Sequence, residues 1–233
     1  MKKEHYKGKY FSVLGDSIST LDGYQPEDYA VFYQGENRYL AGVFVPEDIW
    51  WGKVIEKLQG KLLVNNAFSG STVCRHPSCQ IESYGCSDAR TGGLGEEGQA
   101  PDVVMILMGI NDWGCGMPLK PDGQMEGLRV FSVAYEAMLE KIKRNYPKAE
   151  IWCLTLPRSC WSAHPEVEIP AYRAGGHFGE YCGVIRLCAE KAGCRLVDIY
   201  DPAQPYDTID GFHPTADGMA TIARAVLAQV ESR

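Results

Sequence analysis

The sequence contains no apolar run of about 18 or more residues, which excludes a membrane-spanning helix by hydropathy. Met1 to Tyr10 carries charges and no apolar segment of the kind that drives secretion, so a cytoplasmic protein with no membrane partner is expected. Clustered basic residues are also lacking. With a net charge of -7 and only the short run Lys141 to Arg144 within an amphipathic segment, a phosphate backbone has little to bind, and no nucleic-acid partner is expected. The nine cysteines are odd in number, scattered from Cys74 to Cys194, and include no Cys-x-x-Cys pair. Cys74, Cys79 and Cys86 with His76 lack zinc-site spacing, so reduced thiols and no metal are expected. Internal repeats, low-complexity tracts and linkers are absent too, and the 233 residues read as one α/β domain spanning 1–233.

What is present is an alternation. Short, nearly continuous apolar runs at Tyr10 to Leu14, Lys61 to Ala67, Asp102 to Met108, Glu150 to Leu156 and Arg195 to Ile199 are separated by segments of helical period. Strands apolar along their whole length are buried on both faces, which predicts a parallel sheet covered by helices. Leu128, Phe131, Tyr135, Met138, Leu139 and Ile142 share one helical face, and Trp51, Val54, Ile55 and Leu58 a shorter one. Met219, Ile222, Ala223, Val226, Leu227 and Val230 predict a last helix that starts near Pro214 or Thr215. Two stretches stand outside the pattern: the aromatic-rich insertion Asp22 to Trp50, and Arg158 to Ala174 with Trp161 and His164. Both are open to two readings, walls of a pocket or loops packed down by their own aromatics.

Open parallel sheets bind ligands beyond the carboxyl ends of their strands. Gly15-Asp16-Ser17 follows the first strand, Ser69-Gly70-Ser71 the second, Gly109-Ile110-Asn111-Asp112 the third, and Asp210-Gly211-Phe212-His213-Pro214 the fifth. A serine hydroxyl becomes a nucleophile when a histidine takes its proton and a carboxylate steadies that histidine. Ser17, His213 and Asp210 supply the three groups, and the three-residue interval from Asp210 to His213 lets both side chains share one turn. The Ser17 and Gly70 amides and the Asn111 side chain are candidate donors to an oxyanion. Asp16 and Asp112 read as turn or cap residues. Trp113 is open between cleft wall and core, and Arg75, His76, Arg90 and Arg158 read as surface or loop-tethering residues. Gly93-Leu94-Gly95-Glu96-Glu97-Gly98 has the G-x-G-x-x-G spacing but precedes a predicted strand and holds two glutamates, which excludes a dinucleotide site. Gly15-Asp16-Ser17-Ile18-Ser19 is not a G-x-S-x-G elbow, which excludes the commoner lipase fold.

Taken in order, Ser17, Gly70, Asn111 and His213 within these blocks resemble the GDSL esterases, also called SGNH hydrolases. The residue after Ser17 is isoleucine where the family's short name has leucine. The resemblance implies a three-layer α/β/α sandwich of flavodoxin-like type with a five-stranded parallel sheet. It also implies hydrolysis of ester or thioester bonds through an acyl-enzyme, with no metal or organic cofactor. The aromatic loops offer stacking faces for sugars, so a short-acyl, acetyl-type ester of a carbohydrate or another small molecule is the expected substrate. Thioesterase or lysophospholipase-type activity, and a non-catalytic carbohydrate-binding domain of the same fold, are the alternatives.

Overall fold

The computed structural model describes residues 3–76, 83–121 and 123–231. Five parallel strands form its central sheet: β1 (Tyr10–Gly15), β2 (Lys61–Ala67), β3 (Val103–Leu107), β4 (Glu150–Leu154) and β5 (Arg195–Val197), in the order β2-β1-β3-β4-β5. All five residues of β3 are buried, as expected of the central strand of a sheet covered on both faces. Three strands end earlier than the apolar runs predict, β3 by one residue and β4 and β5 by two. For β4 and β5 the cause is Thr155, whose Oγ1 accepts from the amides of Ile199 and Tyr200 at 2.8 and 2.9 Å and so diverts both from the ladder.

Five helices complete the frame: α1 (Trp50–Lys57), α2 (Ile110–Gly114), α3 (Phe131–Asn145), α4 (Phe178–Lys191) and α5 (Ala216–Glu231). The connection from β1 to β2 runs in the opposite direction to those from β3 to β4 and from β4 to β5. Right-handed crossovers therefore place α1 on one face and α3 and α4 on the other. The packing agrees: α1 lies against α5, and α3 against α4, giving the three layers. Thr215 sets the start of α5, its Oγ1 accepting from the Gly218 amide at 3.1 Å. Leu128 is displaced from the predicted helical face. It sits in a 3-10 turn, Gly127–Arg129, because Val130 is extended and α3 begins only at Phe131.

The sheet register brings the strand ends level where they matter: Gly15 pairs with Ala67 on one side and Leu107 on the other. Strand order reverses between β1 and β3, and a crevice opens beyond their carboxyl ends, the switch point at which such folds bind ligands. The two irregular stretches border this end. Residues 22–50 include a short helix, Gly35–Ala41. Residues 158–174 contribute Ser159–Cys160, which pairs with Tyr206–Asp207, and Tyr172–Arg173, which forms a hairpin with Gly176–His177. No helix among the described residues is long and apolar enough to cross a membrane.

Candidate active site

At Gly15 the chain leaves β1 and turns at once into a 3-10 turn, Ser17–Ser19. A Cβ on Gly15 would lie 2.5 Å from the Ser19 side chain, so the turn closes this tightly only on glycine. Asp16 caps it, accepting from the Ile18 amide at 3.1 Å. Burial pushes the Asp16 carboxyl up to about 7, with nearby Asp112 adding to the rise and the Ile18 amide and Arg90 opposing it. Ser19 fixes the turn from behind. Its hydroxyl accepts from the Trp50 indole at 3.1 Å, and its carbonyl from Trp51 at 3.0 Å and Asn65 at 2.9 Å. The aromatics at the end of the insertion thus hold the Ser17 turn in place.

Ser17 is only 5% exposed, and its hydroxyl lies 3.0 Å from His213 Nε2. His213 Nδ1 lies 2.6 Å from Asp210 Oδ2. The second Asp210 oxygen accepts from the amides of Phe212 and His213, at 2.9 and 2.8 Å. Gly211, at φ +91°, permits this compact turn. Burial raises the Asp210 pKa, but the hydrogen bonds from His213 and Phe212 outweigh it, and the carboxyl ends below its ordinary value of 3.8. An ionised Asp210 places the proton on His213 Nδ1 and leaves Nε2 as an acceptor facing the serine, which is the tautomer a general base requires.

Asn111, on α2 directly after Gly109, donates one amide hydrogen to the Ser71 carbonyl at 2.9 Å. An amide has two, so a second donor remains. Beside it Asp112 is fully buried and accepts from the amides of Val73 and Cys74, at 2.8 and 2.9 Å, which ties the turn after β3 to the loop after β2. Ser17, Asn111 and His213 border a common cavity of ≈ 210 Å³, together with Trp113, Phe212 and Arg173. Gly70 stands apart. It is exposed, at φ +79°, and is not among the residues lining that cavity, although its neighbour Ser71 holds Asn111. Trp113 satisfies both readings left open for it, since it is 1% exposed, packed in the core, and part of the cavity wall.

Sequence reasoning missed the part played by Phe32 and the burial of Arg90, though it offered tethering as one reading of Arg90. Phe32 of the insertion stacks on the His213 ring, with centroids 3.4 Å apart and planes 10° from parallel. Arg90 is fully buried instead of superficial, and it is a tether: it donates to the carbonyls of Gly15, Asn66 and Ser83, to Asn66 Oδ1 and to Ser71 Oγ. Its neighbours Ser87, Asp88, Ala89, Thr91 and Gly92 are small or polar and give no signal of its burial. Trp161 and His164 pack against each other, away from the cavity lining. The eight described cysteines are free, and Cys79 lies outside the described residues. Among the described residues no group of three or more His, Cys, Asp and Glu side chains is placed to hold a metal ion.

Comparison with known proteins gives a consistent result. Residues 9–158 match the sequence model of the GDSL-like lipase/acylhydrolase family. A GDSL-like lipase from Bacteroides ovatus ATCC 8483 superposes with a TM-score of 0.75 at 25% identity, covering 97% of this chain and 100% of that one. A second, from Bacteroides uniformis ATCC 8492, gives 0.73 at 24% identity, covering 97% of each chain. A family two carbohydrate esterase from Clostridium thermocellum shares the fold with a TM-score of 0.58 at 18% identity, over 97% of this chain and 64% of that one. No curated protein matches.

Proposed function

Because the chain belongs to the GDSL-like lipase/acylhydrolase family, we propose that it is a serine esterase whose reaction runs through Ser17, His213 and Asp210. One observation carries this reading: the continuous hydrogen-bonded chain from Asp210 through His213 to the Ser17 hydroxyl, at the edge of a cavity that Asn111 also borders. His213 Nε2 takes the hydroxyl proton as Ser17 Oγ bonds to the ester carbon. The carbonyl oxygen becomes an oxyanion, held by the Ser17 amide and the free Asn111 amide hydrogen, with Gly70 as a third donor that substrate binding would have to engage. The tetrahedral species collapses, the alcohol leaves with the proton from His213, and the acyl group stays on Ser17. Water then gives a proton to His213, attacks the acyl carbon and releases the acid and the free serine.

A small ester best suits this site. The cavity of ≈ 210 Å³ falls below the roughly 300–1,000 Å³ of sites for drug-sized ligands, which favours a short acyl group over a fatty one. Two of the structures sharing the fold are family two carbohydrate esterases, which supports a carbohydrate as the alcohol. The test is hydrolysis of p-nitrophenyl acetate, butyrate, octanoate and palmitate by wild type and Ser17→Ala, with circular dichroism to confirm that both are folded. The expected result is cleavage of acetate and butyrate by wild type and a fall of about a thousandfold or more in Ser17→Ala. Equal rates in the two proteins would sink the Ser17 assignment, and a preference for palmitate the short-acyl one.

A further inference from the structure

Among the described residues, and apart from His213, a single basic side chain borders the cavity, that of Arg173. It extends from the Tyr172–Arg173 strand of the hairpin, and its guanidinium carbon lies 5.3 Å from the centroid of the Trp113 ring. Trp113 is locked in the core and forms part of the same wall, so the stack orients the planar fork while using none of its N–H donors. Those donors have no protein acceptor among the described residues. Other arginines near this end of the sheet differ: Arg158 donates to the carbonyls of Ile169 and Pro170, Arg186 grips Asp198, and Arg90 is saturated by five acceptors.

Among the described residues the cavity offers Arg173 no counterion either. None of its lining residues is acidic, and the nearby carboxylates are engaged elsewhere: Asp16 by Ile18, Asp112 by Val73 and Cys74, Asp210 by His213. A cation oriented by an aromatic ring, with free donors at the mouth of a small neutral cavity, suits a planar or tetrahedral oxyanion. Building on the serine-esterase reading above, the geometry points to Arg173 as a specificity residue: the preferred substrate carries a carboxylate or phosphate near its scissile ester, and Arg173 binds that group. This anion belongs either to the acyl portion or to the alcohol.

Matched esters separate the two sources. p-Nitrophenyl hemisuccinate against p-nitrophenyl butyrate places the charge on the acyl side. 3-O-acetylglucuronate and 3-O-acetylglucose 6-phosphate against 3-O-acetylglucose place it on the alcohol. In at least one pair, wild type is expected to favour the anionic ester by about tenfold in kcat/KM at low salt, the scale of a partly exposed charge-assisted hydrogen bond. That ratio should fall to about one in Arg173→Gln, recover in part in Arg173→Lys, and shrink as salt is added. A ratio near one in wild type for every pair, or a ratio unchanged in Arg173→Gln, overturns the inference. Calorimetric titration with succinate and with glucose 6-phosphate gives a readout independent of turnover. Binding of either to wild type and not to Arg173→Gln supports the anion site even if no ester is cleaved, in which case only the serine reading falls; binding of neither, with no ester preference, removes the site.

Discussion

The two loops that meet at the cavity are held by opposite means. The Ser17 turn is buried, and its anchors are distant in sequence: Trp50, Trp51 and Asn65 on Ser19, and Arg90 on the carbonyl of Gly15, from 31 to 75 residues away. The His213 loop is partly exposed and largely holds itself. Asp210 accepts from the amides of Phe212 and His213, Thr208 accepts from the Gly211 amide, the Ile209 amide reaches the His213 carbonyl, and the Tyr206 hydroxyl reaches Phe212. Ties from afar are fewer: the Tyr33 hydroxyl donates to the Pro214 carbonyl at 2.9 Å, the Thr208 hydroxyl to the Cys160 carbonyl at 2.6 Å, and Phe32 stacks on the His213 ring. A buried turn tied by distant partners is stiff but fails when one tie is cut, because no water replaces the lost donor. A local, half-solvated loop loses less at each cut. The proposed nucleophile is thus placed by the whole fold, and the proposed base by its own eight-residue neighbourhood.

Arg90→Met strains this contrast hardest. It removes donors from the carbonyls of Gly15 and Asn66, from Asn66 Oδ1 and from Ser71 Oγ, all in the interior. The expected cost is about 3–5 kcal/mol, the range for breaking a buried charged network on one side. Urea denaturation measures it. Activity should fall with it, since Ser71 holds Asn111 and Gly15 precedes the proposed nucleophile. A loss of less than about 1 kcal/mol, the scale of one ordinary hydrogen bond, would show that the Ser17 turn does not depend on its distant ties.

Asp16 sharpens the contrast through pH. Its carboxyl, buried, releases its proton at about 7 in the folded protein and near 3.8 when the chain unfolds. Between those values the folded state holds more protons than the unfolded one, so stability falls as pH rises from about 4 to 7 and this group adds no slope above that. The His213 side has the reverse sign: the folded pKa of Asp210 is lowered, so its contribution is complete at neutral pH and is lost only as pH falls below 3.8. Asp16→Asn keeps an acceptor for the Ile18 amide and should gain on the order of 2 kcal/mol at pH 8, with little change at pH 4. Some slope will remain, because burial also raises the pKa of Asp112. Parallel stability curves for wild type and variant from pH 4 to 8 would rule out a titrating Asp16.

The same division explains what could be read from the sequence. The five strands and the helices α1, α3 and α5 are legible because periodicity is local, whereas α4 goes unread; ends miss where Thr155 captures ladder amides and where Val130 is extended ahead of α3. Asp210 and His213 are legible for the same reason, since three residues suffice to bring them together. Ser17 and Asn111 come from the rule that strand ends carry sites, not from any local contact between them. The burial and partners of Arg90 and the stacking of Phe32 are not legible. What defines each is a partner brought near only by tertiary folding, with 75 residues separating Arg90 from Gly15 and 181 separating Phe32 from His213. For Gly70 the glycine and its position after β2 are legible, but the conformation that leaves it outside the cavity lining depends on the packing of the whole loop.

Phe32 gives the smallest expected effect, and it probes the one face of His213 that the local loop does not supply. Its ring lies flat on the imidazole, which limits rotation about the Asp210 hydrogen bond and presents a π face to the imidazolium formed when Ser17 loses its proton. Flat stacking of this kind is worth about 0.5–1.5 kcal/mol, so Phe32→Leu should lower kcat/KM by about three- to tenfold, while Phe32→Trp should stay within about twofold. Comparing the two variants separates a flat aromatic face from mere bulk, because leucine fills space without a π system. If leucine serves as well as phenylalanine, then Phe32 is filler, the His213 ring needs no aromatic face from the insertion, and the contrast between the two loops is sharper than the stack suggests. If leucine fails and tryptophan succeeds, the proposed base also depends on a distant residue, one that orients its ring and not its backbone.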